Sequence, residues 1–242
     1  MRSEFDGYLT ALQAQAPSDQ VVAFFDLDRT LISGYSLTAL ALEKVWSGLS
    51  PRRMLVHLGI FLGYGLGRSD YHGLLESTVR ALAGRPESEM IDLGQRAFER
   101  RLSSLIYDEA RMLIDAHISK QHEVVIVTSA TRYQAEPVAK ALGVQRLLCT
   151  QLEIDAGLIT GRVTPCYGAD KRLAAERFGE QHGLALEDAY FYSDSDEDLP
   201  LLEAVGRPVA ANPKTALLRI AVARGWPRLE FAGQGDSPAI AA

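Results

Sequence analysis

Apolar positions along the chain follow two alternating patterns. Short unbroken runs, Val21-Val22-Ala23-Phe24-Phe25, Val124-Val125-Ile126-Val127, Ala189-Tyr190-Phe191-Tyr192 and Pro208-Val209-Ala210-Ala211, are rich in β-branched and aromatic residues. Such runs predict strands buried on both faces. Arg146-Leu147-Leu148-Cys149 is a weaker run of the same kind. Between them lie helical spacings at Arg132–Leu142, Lys171–His182 and Lys214–Arg224. Strands alternating with helices predict an α/β fold with a parallel sheet covered on both faces. Leu152 to Val163 reads as a hairpin with Ala156-Gly157 at its tip, and Gly233 to Ala239 as a loose tail.

Between Ser36 and Ser104 the pattern changes to helical segments alone, broken at Gly48-Leu49-Ser50-Pro51, Gly67-Arg68-Ser69-Asp70 and Gly84-Arg85-Pro86. Ser69-Asp70 and Glu87-Ser88 suit helix starts. An all-helical insert thus interrupts the α/β domain directly after its first strand. The expected division is a core of residues 1–35 and 105–242 and a cap of residues 36–104. The most apolar stretch, Met54 to Gly67, lies in this cap. It is too short to span a bilayer and reads as a buried or pocket-facing helix, with docking on a membrane surface or a partner as the alternative.

The bulk numbers narrow this picture. At 242 residues, 47% hydrophobic and 23% charged, the chain has the make-up of a globular protein. A formal charge of −6 disfavours nucleic acid or anionic membrane as general partners. Cys149 and Cys166 supply neither a disulfide framework nor a closed zinc site and read as small buried hydrophobes. The five histidines show no ligand spacing. Met1 to Asp6 lacks the basic flank and apolar run of a signal peptide, which predicts a cytoplasmic protein.

The chemistry gathers at the carboxyl ends of the predicted strands, where parallel α/β sheets bind ligands. The first strand runs into Asp26-Leu27-Asp28, and the fourth into Ser193-Asp194-Ser195-Asp196-Glu197-Asp198. Acidic residues beyond buried strands are costly unless a cation sits among them, and oxygen ligands suit Mg²⁺. A site holding Mg²⁺ draws phosphate and lets a carboxylate attack phosphorus, giving an acyl-phosphate that water hydrolyses. The other acid of the pair can protonate the leaving oxygen and then activate water. Thr128, at the end of the second strand, suits a phosphate cradle, and Lys171 a cation for phosphate and nucleophile. Asp196 and Glu197 read as surface residues capping the following helix.

These segments, in this order, resemble the haloacid dehalogenase-like phosphohydrolase superfamily, in its phosphoserine-phosphatase-like branch with a helical cap. Asp26-Leu27-Asp28-Arg29-Thr30 matches the first motif, Thr128 the second, Lys171 the third and Asp194 with Asp198 the fourth. The resemblance implies a doubly wound core of strand order 3-2-1-4-5 and Mg²⁺ as cofactor. It implies that Asp26 is nucleophile and metal ligand. Asp28 is general acid/base, with its backbone carbonyl on the metal. Asp194 is the third protein ligand, and Asp198 supports the metal and its waters. Thr128 and Lys171 bind the transferred phosphoryl group, with Ser129 in place of Thr128 if the motif is shifted by one residue.

Asp28 favours phosphoester cleavage over dehalogenation, because a halide leaves unprotonated. The expected substrate is a small phosphorylated metabolite. Two departures count against phosphoserine: Ser33-Gly34-Tyr35-Ser36-Leu37 carries no acid before Glu43, and Glu197 stands where an Asn is usual. A cap with the uncharged Met54–Gly67 stretch suits a more apolar phosphomonoester, including a lipid phosphate. Arg52, Arg53, Arg68 and Arg80 read as solvated. The rival readings are a phosphotransferase using the same aspartyl-phosphate and a catalytically retired phosphoester-binding module.

Overall fold

A seven-stranded sheet forms the centre of the protein in a computed structural model that describes residues 2–46 and 71–232. Its strands are β1 (Val22–Phe25), β2 (Glu123–Thr131), β3 (Arg146–Asp155), β4 (Leu158–Thr164), β5 (Tyr190–Ser193), β6 (Arg207–Ala211) and β7 (Arg228–Leu229). They lie in the order β4-β3-β2-β1-β5-β6-β7, and only the β3–β4 pair is antiparallel. The five strands expected from the sequence are β1, β2, β3, β5 and β6, in the expected spatial order.

Alternation along these strands divides the core. Ala23, Phe25, Ile126, Tyr192, Val209 and Ala211 face one layer of helices. Val22, Phe24, Val125, Val127, Phe191 and Ala210 face the other. Both faces are dry, which is why the strands read as unbroken apolar runs. The first layer holds α1 (Arg2–Gln13), α5 (Asp108–Ser119) and α6 (Arg132–Ala141); the second holds α7 (Ala169–His182), α8 (Leu199–Leu202) and α9 (Thr215–Arg224). Helices α1 and α5 and strand β7 have no counterpart in the sequence reading. Phe5, Leu9 and Leu12 do bury one face of α1 at helical spacing, whereas two residues of β7 are too few to show any period.

Strand β3 is longer than expected, because it continues from the core sheet straight into the hairpin with β4. At the tip Ala156 and Gly157 take φ 47° and 78°, the two left-handed residues of a tight hairpin turn.

The described part of the insert contains α2 (Ser36–Trp46), α3 (Tyr71–Arg80) and α4 (Glu87–Arg100) and no strand. The Met54–Gly67 stretch lies outside the described residues, as do Arg52, Arg53, Arg68, the 48–51 and 67–70 breaks and the 233–239 tail. Arg80 is exposed beside Glu76 at 3.9 Å. Leu40, Val79, Leu82, Met90, Leu93 and Ala97 of the insert share one hydrophobic cluster with Tyr133, Leu152 and Ile159 of the core. The connection between α3 and α4 bonds to the hairpin through its backbone. Gly84 N–H donates to Ile159 O (2.8 Å), Ile159 N–H to Arg85 O (2.9 Å) and Glu87 N–H to Gly157 O (2.9 Å). Among the described residues no helix is long and apolar enough to cross a membrane.

A polar network crosses the first layer. His117 on α5 pairs its Nδ1 with His122 Nδ1 (2.8 Å) and its Nε2 with the Tyr192 hydroxyl (2.8 Å), which meets the Tyr8 hydroxyl at 2.9 Å. Burial, with His122 and Arg207 nearby, lowers the His117 pKa to about 3. The neutral ring therefore folds in, and its contribution is complete above the unfolded value near 6.5 and is lost as pH falls below it.

Two stability predictions follow from this packing. A Cβ at Gly94 would lie 2.0 Å from the Tyr133 carbonyl oxygen, so Gly94→Ala is expected to destabilise by about 1–3 kcal/mol in urea unfolding. An ordinary helix-interior glycine would gain up to about 1 kcal/mol from the same change. For His117→Phe the deficit against wild type is expected to shrink by roughly 2 kcal/mol between pH 7.5 and pH 5. A deficit constant over that interval would contradict the neutral buried ring.

Candidate active site

The first acidic loop is fixed from several sides. Asp26 follows the last residue of β1, yet its N–H still bonds Tyr192 O on β5 at 2.9 Å. Leu27 is fully buried, and its carbonyl accepts from the N–H groups of Thr30, Leu31 and Ile32 at 3.3, 2.9 and 3.1 Å. Arg29 takes a left-handed φ of 62°; its N–H donates to Gly34 O (3.0 Å) and its carbonyl accepts from Asn212 Nδ2 (3.0 Å). This tight turn sends the two carboxylates of Asp26 and Asp28 to different partners.

Asp26 and Asp198 share one cation. Lys171, in the first turn of α7, places Nζ 2.7 Å from Asp26 Oδ1 and 2.8 Å from Asp198 Oδ2. Ser193 Oγ donates to the same Asp198 oxygen at 2.6 Å. All these side chains are buried. Burial opposes charge on Lys171, but Asp198 and Asp26 outweigh it and raise its pKa above that of an ordinary lysine. For Asp26, burial outweighs Lys171, and Asp198 and Asp194 add to it, so the carboxyl is pushed up to about 8. As the sequence reading expects, Lys171 favours the ionised form of Asp26, with its charge divided between two carboxylates.

Asp194 has separate partners. Arg29 Nε donates to its Oδ2 at 2.8 Å, and Lys214 Nζ lies 3.8 Å from the same oxygen. Lys214 also gives its backbone N–H to Asp194 O (2.7 Å) and its Nζ–H to Ser195 Oγ (3.2 Å). Burial raises the Asp194 pKa, against Lys214 and Arg29. Asp28 turns toward the insert, where its Oδ1 accepts the Ser36 N–H at 2.7 Å. Burial raises the Asp28 pKa and Ser36 partly offsets the shift. Asp196 is half-buried and Glu197 exposed, with the Glu197 N–H capped by Ser195 Oγ at 3.4 Å.

Thr128 sits on β2 at the carboxyl edge, next to β1, where the β2–β3 register shifts between Thr128 and Thr131. Its hydroxyl accepts the Ala130 N–H (3.1 Å), and the Thr131 N–H goes to Gln134 Oε1 (2.9 Å). Two of the amides expected in a phosphate cradle are therefore engaged within the protein. Ser129 is half-buried, and its carbonyl accepts from Thr150 Oγ1 at 2.8 Å. Arg29, Lys214, Ser193, Ser36 and Gln134 are site residues that sequence reasoning passed over. Only Arg29 carried a signal, by standing inside the first motif.

Among the described residues no group of three or more His, Cys, Asp or Glu side chains stands arranged as a ready metal cage. The donor set nevertheless fits a hard divalent cation. Four carboxylates, Asp26, Asp28, Asp194 and Asp198, stand at this edge with the three cations Lys171, Arg29 and Lys214, and oxygen donors of this kind suit a hard cation.

Residues 23–203 match the family model described as haloacid dehalogenase-like hydrolase. A phosphoserine phosphatase of Mycobacterium tuberculosis is 30% identical over 230 residues, 90% of this chain and 73% of that one. A histidinol-phosphatase of Neisseria meningitidis is 30% identical over 224 residues, 87% of this chain and 98% of that one. A solved structure of a protein of unknown function from Bordetella pertussis superposes with a TM-score of 0.80 at 31% identity, covering 88% of this chain and 99% of that one. The chain belongs to the haloacid dehalogenase-like hydrolase family and is a phosphatase.

Proposed function

We propose that this phosphatase hydrolyses a small phosphomonoester in two steps, through a phosphoryl group carried on Asp26. The observation that carries the reading is the division of labour between neighbouring acids. Asp26 faces the shared cation Lys171, whereas Asp28, two residues on, is held apart by Ser36. In the first step a carboxylate oxygen of Asp26 forms a bond to phosphorus as the bond to the leaving oxygen breaks. Asp28 gives its proton to that oxygen, and the burial that raises its pKa keeps the proton available. In the second step Asp28 takes a proton from water, which attacks the phosphoaspartate, frees inorganic phosphate and restores Asp26. Lys171 faces the transferred phosphoryl group, with Thr128 or Ser129 on its other side.

Asp26, Asp194 and the Asp28 backbone carbonyl, supported by Asp198, would hold Mg²⁺, which would supply the charge neutralisation that lets a carboxylate approach an anionic phosphorus.

For the substrate, Glu43 bears on phosphoserine. It is the first acid of the insert and is 1% exposed, lying 3.4 Å from Arg96 and 3.3 Å from Arg100 of α4. A carboxylate held this way inside the cap is not offered to a substrate's amino group. Tyr35, half-exposed beside the Asp28 loop, instead presents an aromatic surface. We therefore favour a phosphomonoester recognised without its amine.

Asp26→Asn is expected to lower kcat/KM on p-nitrophenyl phosphate by roughly a thousandfold or more. Chelation should abolish turnover and Mg²⁺ restore it. An Asp26→Asn variant of full activity would sink the mechanism. In a panel of phosphoserine, histidinol phosphate and alkyl phosphates, phosphoserine should not exceed its amine-free counterparts; a clear preference for it would overturn the reading of Glu43.

A further inference from the structure

We propose that Asn212 is a positioning residue for the metal site: it sets the turn of the first acidic loop and, with Lys214 of the same short segment, holds that loop to the second. The inference rests on the Mg²⁺-dependent reading above and goes beyond it by giving the connection between β6 and α9 a share in metal affinity.

Two unusual backbones meet here. Among the described residues four non-glycine residues have positive φ, and two of them, Arg29 at 62° and Asn212 at 47°, are bonded to each other across 183 residues. The left-handed region is disfavoured for a side chain such as arginine's. Asn212 tolerates it better, but the Pro213 that follows ordinarily drives its neighbour to extended backbone with negative φ. Such conformations persist only where the surrounding structure imposes them, and they gather at functional sites.

The bonds that impose them have settled directions. Asn212 Oδ1 accepts the Phe231 N–H at 2.8 Å, and a backbone N–H only donates. The amide therefore has one orientation, with Nδ2 donating to the Arg29 carbonyl at 3.0 Å. Phe231 is itself seated edge-on against Phe5 and Tyr107, with ring centroids 5.8 and 5.4 Å away, and the Asn212 N–H bonds Leu229 O of β7 at 2.8 Å. The Asn212 side chain thus carries a fixed point of the sheet edge to the nucleophile turn.

At Arg29 both flanking peptides are pinned. Its N–H donates to Gly34 O at 3.0 Å and its C=O accepts from Asn212. The peptide joining Asp28 to Arg29 is trans and planar, so its carbonyl points opposite to the N–H that Gly34 holds. That carbonyl is the one proposed above as a metal ligand. The Arg29 side chain leaves the same turn to reach Asp194, Nε to Oδ2 at 2.8 Å. Two residues beyond Asn212, the Lys214 N–H donates to Asp194 O at 2.7 Å. Residues 212–214 therefore bond both acidic loops, and Arg29 closes the circuit between them. Without the Asn212 bond the Arg29 backbone is free to leave its left-handed conformation, which turns the Asp28 carbonyl and withdraws the guanidinium from Asp194.

The test measures the Mg²⁺ affinity of the full-length protein in two ways. One is calorimetric titration of chelator-stripped protein without substrate; the other is the Mg²⁺ concentration that gives half-maximal turnover of p-nitrophenyl phosphate. Asn212→Asp keeps an acceptor for Phe231 and exchanges only the donor to Arg29 for a second acceptor. Its added negative charge by itself attracts a cation, so weaker binding reports the lost bond. Asn212→Gly keeps the backbone conformation and removes both side-chain bonds without adding charge. Both variants are expected to bind Mg²⁺ about tenfold more weakly or worse by either measure, whereas kcat at saturating Mg²⁺ falls about threefold or less.

Unchanged affinity in either folded variant, or a fall in kcat as large as the fall in affinity, overturns the positioning role. Thermal melts identify a variant that has lost its fold, and the other then decides; loss of fold in both also overturns the role, because Asn212 then serves the fold at large. Failure of the underlying reading is separately visible. If the wild-type protein takes up no Mg²⁺, the metal-dependent mechanism falls and this inference with it. If the wild type binds Mg²⁺ and the variants bind it equally well, only the positioning role falls.

Discussion

The site depends on Lys171 lying between Asp26 and Asp198, where burial leaves the three charges poorly screened. Asp26 is 145 residues from Lys171 in the chain, and Asp198 is 27. Only the strand order that places β5 beside β1, with α7 packed across them, brings the three together. Leaving one partner of such a cluster buried alone costs about 3–5 kcal/mol, comparable with much of a domain's net stability. The sheet order and the charge cluster thus support each other. An alternative packing that separated Lys171 from either carboxylate would carry that penalty.

The cluster is also left short of positive charge. Asp26, Asp28 and Asp194 all have raised pKa values, burial being the largest cause in each case. Arg29 and Lys214 hold Asp194 much as Lys171 holds Asp26, so each acid is oriented by a cation without being fully neutralised. An arrangement built only for stability would replace such groups with packed apolar side chains at little loss. Keeping four buried or half-buried acids at one sheet edge makes sense when a divalent cation and a phosphoryl dianion complete the balance during turnover.

Legibility in the sequence followed the range of each interaction. Strands buried on both faces announced themselves through unbroken apolar runs at their centres, and Asp26, Asp28, Asp194 and Asp198 stood out because acids beyond such runs break the pattern. Helix α5 was harder: His117 occupies a core position where a hydrophobic residue would have completed the period, and its burial is compensated by His122 and Tyr192, which no local reading supplies. The partners of the site were harder still. Lys214, Gln134 and Ser36 join the site through hydrogen bonds that no motif marks, Lys214 reaching Ser195 over 19 residues and Gln134 reaching Ser36 over 98. Sequence spacing carries no trace of such contacts. Thr128 marks the opposite limit, since its position was legible while the engagement of its hydroxyl with Ala130 was not.

The relation of cap to core has the same physical origin. Among the described residues, the helices α2, α3 and α4 share one hydrophobic cluster with Tyr133, Leu152 and Ile159. The hairpin continues core strand β3, and Tyr133 lies beside Gln134 on the helix that starts at the end of β2. The insert is thereby tied to strand β3 and to the helix that follows β2, by packing, by backbone bonds at Gly84, Glu87 and Ile159, and by the seat of Gly94. A rotation of the described cap helices as a separate rigid body would have to break that cluster and those bonds together. Any motion of the described insert helices relative to Asp26 would therefore carry the β3–β4 hairpin with it, since the two share one cluster and one set of backbone bonds.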